Sequence, residues 1–174
     1  MDTFIKTGSK APDFELPDLD GAMHRLASMR GITVILNFWS AECPWSHNAD
    51  KELLSCLPDW GETVALWPVA SNANEPADLL SRTALERSLP LVLHDRYQRV
   101  ANLYGAQTTP QFFVIDRSGI LRYQGALNDV TFRQREPGVH YLREAVDALL
   151  KGKNPDPDTT SPYGCAVVRF TGNE

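Results

Sequence analysis

Between residues 32 and 38 the chain reads ITVILNF, a nearly unbroken apolar run rich in β-branched side chains. Runs of this kind are apolar on both faces and predict a strand buried in the middle of a sheet. The period then changes. Trp45, Ala49, Leu53, Cys56 and Leu57 recur at helical spacing on one face, which predicts a helix from about Pro44 to Leu57, stopped by Pro58. TVALWPVA, at 63–70, predicts a second buried strand, and Glu75 to Ser88 offers helix formers behind a capping candidate at Asn74. LPLVLH, at 89–94, reads as a short strand. Asp95 can cap a helix through Tyr97, Val100, Ala101 and Tyr104 that ends at Gly105. FFVID and ILRYQG flank Arg117-Ser118-Gly119 and predict an antiparallel hairpin. Leu142, Ala145, Val146, Leu149 and Leu150 form one apolar stripe on a last helix that ends at Gly152.

The two ends lack these periods. GSKAPDFELPDLDG, at 8–21, holds two prolines and the turn signal Asp20-Gly21, so it reads as a capping arm or short hairpin. KNPDPDTTSPYGCAVVRF, at 153–170, holds three prolines and no helical period. No internal repeat is visible. Strand and helix patterns alternate from 32 onward, so the expected class is α/β.

With 174 residues, 43% of them apolar, the chain suits a single core. The expected organisation is one domain over 1–151 with a Pro-rich tail, 152–174, packed on it. A net charge of -5 and a pI near 5.4, with no basic run, argue against nucleic acid as a partner. The start, MDTFIKTGSK, reads as neither a signal peptide nor a membrane span, so a cytoplasmic home is expected, or a periplasmic one if a leader has been removed. His24, His94 and His140 show no ligand spacing, and neither a metal nor another cofactor is expected.

Three cysteines, Cys43, Cys56 and Cys165, are too few for a disulfide framework and leave at least one thiol unpaired. Pro44 suits the first helical position, which makes Cys43 the N-cap. Open N–H groups and the positive end of the helix dipole then face its sulfur, and sites of this kind depress cysteine pKa values. Glu42 opposes the effect and a protonated His47 one turn on would assist it. The alternative is an inert core thiol. Cys56 lies thirteen residues on, about 20 Å along one helix, beyond disulfide reach, and sits in the apolar stripe. It reads as core. Cys165 follows thirteen residues, 152–164, that can extend to roughly 43 Å, so the tail can bring it to any face of a domain with a radius of gyration near 16 Å. Resolving cysteine and structural anchor of a terminal edge strand are both open for it.

GSKAPDFELPDLDG, NFWSAECPWS and TTPQFFVIDRSG resemble the three signature blocks of the thioredoxin-like redoxins. By these motifs the chain resembles the alkyl hydroperoxide reductase and thiol-specific antioxidant family and the membrane-tethered thioredoxins of cytochrome maturation. The resemblance spans most of the chain. It implies a thioredoxin-like fold, a central mixed β-sheet with helices on both faces, an N-terminal arm or hairpin and an extended C-terminal tail, with the active cysteine where the first buried strand meets its helix. Thioredoxins use Cys-x-x-Cys at this place, and here Cys43-Pro44-Trp45-Ser46 ends on serine, so no disulfide can close within the motif. Ser40-Ala41-Glu42-Cys43 matches half of the peroxiredoxin motif, with Leu36 in place of its proline. The arginine that peroxiredoxins set beside the sulfur is missing from Thr109-Pro110-Gln111. Thr109-Pro110 instead resembles the cis-proline element of thioredoxins, which lies against the active cysteine. Tyr163-Gly164-Cys165 resembles the tail of a peroxiredoxin-like subgroup in which a Gly-Cys pair precedes a short strand.

The function this implies is thiol-dependent reduction of a peroxide or disulfide through a single nucleophile, Cys43. Ser40 and Ser46 would steady the sulfur, Thr109 and Pro110 would flank it, and Cys165 or an external thiol would resolve the intermediate. The expected reductant is thioredoxin- or glutathione-like, the expected process is antioxidant defence and redox homeostasis, and a homodimer is compatible with the reading. Two other classes remain: a binding or chaperone-like module without turnover, and a copper carrier, against which Trp39 stands where the first cysteine of a Cys-x-x-x-Cys-Pro loop belongs. His140, on the last helix, and the pair Asp18/Asp20 read as solvated surface.

Overall fold

The computed structural model describes residues 5–171. The sequence reading of the leader rests partly on residues 1–4, which lie outside that range. The apolar run forms β3 (Thr33–Trp39), buried along its whole length, at the centre of a five-stranded sheet. Before it stand β1 (Glu15–Pro17) and β2 (Met23–Arg25), an antiparallel hairpin in which the Asp18 carboxylate accepts the amides of Asp20 and Ala22 and a bond from His24 Nε2 at 2.8 Å. The remaining elements are α1 (Pro44–Trp60), β4 (Val64–Ala70), α2 (Ala77–Glu86), β5 (Leu93–His94), α3 (Arg99–Tyr104), β6 (Thr108–Thr109), β7 (Gln111–Ile115), β8 (Leu121–Gly125), α4 (Tyr141–Leu150) and β9 (Cys165–Ala166).

The sheet order is β5-β4-β3-β7-β8, with β4 parallel to β3 and β5, and β7 antiparallel to β3 and β8. Parallel and antiparallel pairs share β3, so the sheet is mixed and the fold is thioredoxin-like. Alternate β3 residues feed two cores. Ile35 meets Ala49, Leu53 and Cys56 of α1 and Leu142, Ala145 and Val146 of α4 on one face. Val34, Leu36 and Phe38 meet Val100, Ala101 and Tyr104 of α3 and Phe14 of the N-terminal arm on the other. A third cluster joins Trp39 to Leu80 and Ala84 of α2. Among the described residues no helix is long and apolar enough to cross a membrane.

Several boundaries differ from the sequence reading, each for a physical reason. The first helix continues through Pro58 to Trp60 rather than stopping at Leu57. Proline removes one helical hydrogen bond, but Trp60 beyond it is buried and its indole donates to Asp147 Oδ1 at 2.8 Å, so tertiary anchoring outweighs the local break. The strand expected over 89–94 is only Leu93–His94, since β4 offers it partners only at Val69 and Ala70. The second helix starts at Ala77 with Pro76, not Asn74, at its N-cap. Asp95 caps the third helix from outside, its carboxylate accepting the amides of Val100 and Ala101 while Gln98 takes the N-cap position. His140 is the N-cap residue of α4 rather than part of it, and its Nδ1 bonds Glu52 Oε1 at 2.8 Å.

Candidate active site

The chain leaves β3 at Trp39, makes a three-residue link, Ser40-Ala41-Glu42, and enters α1 at Pro44, which places Cys43 at the N-cap with extended backbone, φ -81° and ψ 122°. Proline at the first helical position explains the abrupt start, because its missing N–H would have been unpaired anyway. The link's polar backbone is satisfied almost entirely by two buried side chains from elsewhere. The Glu75 carboxylate accepts the Ser40 hydroxyl at 2.7 Å and the amides of Ala41 and Glu42, each at 3.1 Å. Ser40 Oγ in turn accepts the Cys43 amide at 3.1 Å and the Glu42 amide at 3.2 Å. From the opposite side the Arg87 guanidinium donates to the carbonyls of Ser40 at 3.2 Å and Ala41 at 2.6 Å.

Arg87 also bonds Asp50 Oδ2 at 3.1 Å, and the Trp39 indole donates to that same oxygen at 2.8 Å. Asp50 is 1% exposed, and its Oδ1 has no partner among the described residues. Burial pushes its carboxyl above the usual carboxylate range, against the opposing pull of Trp39 and Arg87. An ion pair under the link thus fixes the shape of the turn that presents Cys43. Glu75→Ala is expected to cost about 2–3 kcal/mol of folding stability, because it orphans the Ser40 hydroxyl and the Ala41 amide in a buried link and leaves the Glu42 amide with Ser40 Oγ alone. Denaturant unfolding reads this directly, and a change below about 0.5 kcal/mol would mean that water replaces the carboxylate without loss.

Cys43 is bonded to Cys165 as a disulfide, with the two Cα atoms 6.2 Å apart, inside the ordinary span for such a bridge. Its sulfur also lies 3.1 Å from the carbonyl oxygen of Thr109, and the Thr109–Pro110 peptide is cis. Cys56 is a free, buried thiol. Cys165 begins β9, which pairs antiparallel with β6, Thr109 opposite Cys165 and Thr108 opposite Ala166. The terminal strand therefore docks on the segment before the cis-proline, apart from the five-stranded sheet.

The tail is held along its length. Upstream, the Thr160 amide bonds the Gln124 carbonyl at 3.0 Å, and the Tyr163 ring meets Trp45 edge-on at 5.0 Å between centroids. Downstream, the Gln98 side chain donates to the Val168 carbonyl at 2.7 Å and Arg169 bonds the Ala106 carbonyl.

The structure links all six residues singled out in the sequence in one chain of contacts: Cys43 to Cys165 and to the Thr109 carbonyl beside Pro110, Cys43 to Ser40, and Ser40 to Ser46. Ser46 is fully buried, and its hydroxyl oxygen accepts the Ser40 amide at 3.3 Å. Both serines bind the link's backbone, and the Ser40 proton goes to Glu75. The arginine of the site is Arg87, engaged with carbonyls and Asp50, while Thr109-Pro110-Gln111 carries none. Glu75, Arg87 and Asp50 escaped the sequence reading. Asp50 left one trace, its four- and seven-residue spacing from Ser46 and Cys43 on an otherwise apolar helix face. Glu75 and Arg87 left none, since their bonds to the link span more than thirty residues. Beside the disulfide, Trp45, Pro110, Leu127, Val130 and Tyr163 line a cleft of about 180 Å³ with Arg135 and Glu52 at its polar side.

The sequence profile of the AhpC/TSA family matches residues 7–124, more than half of the chain. The thiol-disulfide oxidoreductase ResA of Geobacillus thermodenitrificans is 35% identical over 125 residues, covering 67% of each chain. Among solved structures, a hypothetical protein of Sinorhizobium meliloti superposes with a TM-score of 0.87 at 30% identity over 97% of both chains. An uncharacterised conserved protein of Geobacillus kaustophilus gives a TM-score of 0.87 at 25% identity, covering 98% of this chain and 96% of its own. These last two matches span nearly the whole chain, its tail included.

Proposed function

We propose, for a chain that belongs to the AhpC/TSA family and is a thiol-disulfide oxidoreductase of thioredoxin-like fold, that Cys43 and Cys165 are its working dithiol. The observation that carries this reading is the Cys43–Cys165 disulfide across a sequence separation of 122. The motif's own second thiol is a serine, and a cysteine from the far end of the chain stands in its place. Cys43, at the helix N-cap, is the nucleophile: its thiolate attacks one sulfur of a substrate disulfide, the substrate bond breaks, and one half leaves as a thiolate that takes up a proton. The Cys165 thiolate then attacks Cys43 Sγ, releases the second half, and closes the internal disulfide. Two electrons pass from the protein to the substrate, and an external thiol reductant, thioredoxin- or glutathione-like, returns them.

Ser40 acts through the backbone, holding the Cys43 amide in place, and Ser46 holds the Ser40 amide. The Thr109 carbonyl, 3.1 Å from the sulfur, accepts a hydrogen bond from the Cys43 thiol when the pair is reduced and protonated, and Pro110 shapes the cleft beside it. A peroxide follows the same two cysteines by a different first step, in which Cys43 becomes a sulfenic acid and Cys165 displaces water from it. The disulfide route is favoured because Arg87, the arginine of this site, is committed to Asp50 and two carbonyls. Either compartment suits the pair, which reductants of the cytosol keep as thiols and an oxidising space keeps closed.

Treating reduced protein with hydroxyethyl disulfide tests the reading. Wild type is expected to end with Cys43 linked to Cys165 and no retained adduct, whereas Cys165→Ser accumulates the hydroxyethyl adduct on Cys43, both read by peptide mapping. Oxidised wild type in which the two cysteines are unlinked would sink the proposal.

A further inference from the structure

The tail occupies the place where a cysteine-bearing segment must lie to reach Cys43, so its contacts show what that place accepts. Cys165 pairs with Thr109 in an antiparallel ladder that the Val167 amide extends to the Gln107 carbonyl at 2.9 Å. Those main-chain bonds favour any extended segment. The selective contacts lie on the residues around the cysteine. Gly164 is packed so closely that an added Cβ would overlap the Thr109 carbonyl and lie 3.0 Å from Pro110 Cδ. Backbone and a proline ring have no flexible end to swing aside, so only glycine fits before the cysteine. One residue earlier, Tyr163 sets its ring edge-on against Trp45, the ring planes at 81°, and its hydroxyl oxygen accepts the Phe132 amide at 2.9 Å. After the cysteine, Ala166 is exposed and Val167 is buried.

We infer that the Cys43 site selects its protein substrates by sequence, taking an extended segment in which an aromatic residue and a glycine precede the reacting cysteine and an aliphatic residue follows one position beyond it. The inference rests on the proposed exchange at Cys43. Such a segment replaces the tail on Thr108–Thr109 with its aromatic ring on Trp45. Cys43 thiolate attacks the segment's cysteine sulfur, and the segment's disulfide partner leaves as a thiolate. The returning tail then brings the Cys165 thiolate onto Cys43 Sγ and expels the segment as a free thiol. Two electrons move from the protein's dithiol to the substrate disulfide. The tail is thus both the resolving arm and a resident competitor, and substrates with bulk before the cysteine are excluded.

The probes are symmetrical disulfides of the acetylated, amidated peptide Ser-Pro-Tyr-Gly-Cys-Ala-Val and of its Gly→Ala and Tyr→Ala versions, with hydroxyethyl disulfide as a measure of Cys43 reactivity alone. Adduct formation on Cys43 of the full-length Cys165→Ser chain is followed by mass spectrometry, and release of peptide thiol by reduced wild type gives a second reading. The Gly→Ala peptide is expected to react about tenfold more slowly, since a fixed backbone clash must be relieved. The Tyr→Ala peptide is expected to react about fivefold more slowly, the size of one aromatic pair. Trp45→Ala should erase the tyrosine preference and leave the glycine preference intact. Rates that agree within about twofold for the three peptides, while hydroxyethyl disulfide still reacts, overturn the inference alone. Disulfides joining Cys43 of one chain to Cys165 of another, in place of peptide adducts on wild type, also overturn it and assign the edge to a second copy. Failure of every probe to modify Cys43 overturns the exchange reading beneath it.

Discussion

Cys43→Ser loses disulfide turnover in a thiol-coupled assay by at least about a thousandfold, while its fold under reducing conditions stays that of the wild type. Serine is isosteric enough for the buried N-cap position and caps a helix better than cysteine, so the start of α1 is retained. What disappears is the sulfur: a serine hydroxyl is not ionised near neutral pH and forms no bond that a second thiol can resolve. The other thiols give no route around it. Cys56 is 2% exposed and burial pushes its thiol up, away from the reactive anion. Cys165 is seated by its pairing with Thr109, where its task is to resolve the bond that Cys43 forms, and without that bond it has nothing to resolve. The comparison belongs under reducing conditions, because oxidised wild type has in addition a cross-link closing 122 residues of chain, which restricts its unfolded state by up to about 5 kcal/mol. Equal denaturant midpoints for the two reduced proteins, with activity only in the wild type, is the expected pair of results. Turnover above about a tenth of wild type would move the nucleophile elsewhere and with it the role given to the N-cap.

The central strand, its following helix and the closing hairpin were legible because their signals are local. β3 needs both faces apolar and shows it in five of its seven residues, and Pro44 marks the helix start without help from the rest of the chain. The misplaced boundaries are those where distant residues decide. Pro58 is a sound local stop, overruled by the burial of Trp60 and its bond to Asp147, 87 residues on. The candidate site divides in the same way. Cys43 could be named from the strand-to-helix junction and from the resemblance, whereas the tail's length showed only that Cys165 can reach, not where it goes. Its seat depends on an edge, Thr108–Thr109, that exists only after the cis-proline loop is folded against α1. Glu75 and Arg87 were the least legible, both read only as members of the helix-forming stretch 75–88. Their work is to satisfy the link's backbone, and a link's need for donors and acceptors leaves no mark on the residues that meet it from another element.

Arg87→Ala is expected to lose about 3–5 kcal/mol of stability near neutral pH, more than any other single change outside the core. The side chain is 9% exposed and Asp50 1%, so the variant leaves a carboxylate buried with only the Trp39 indole beside it, and strips the carbonyls of Ser40 and Ala41 of their donor. Arg87→Lys should recover part of this at most, because a point charge cannot span a carboxylate and two carbonyls as a planar fork does. The loss should depend on pH with a definite sign. Burial already raises the Asp50 carboxyl, and Arg87 is among the groups that oppose the rise, so its removal moves the carboxyl further up. A raised carboxyl means that the folded state binds the proton more tightly than the unfolded chain. The penalty is therefore absent below the ordinary carboxylate range and develops as pH climbs through the shifted one. Unfolding of Arg87→Ala in denaturant should accordingly show a deficit that shrinks as pH falls from neutrality towards the ordinary carboxylate range, where a protonated Asp50 no longer needs a cation. A deficit that stays flat over that interval would show that the guanidinium serves the link's carbonyls alone and that Asp50 has found another partner.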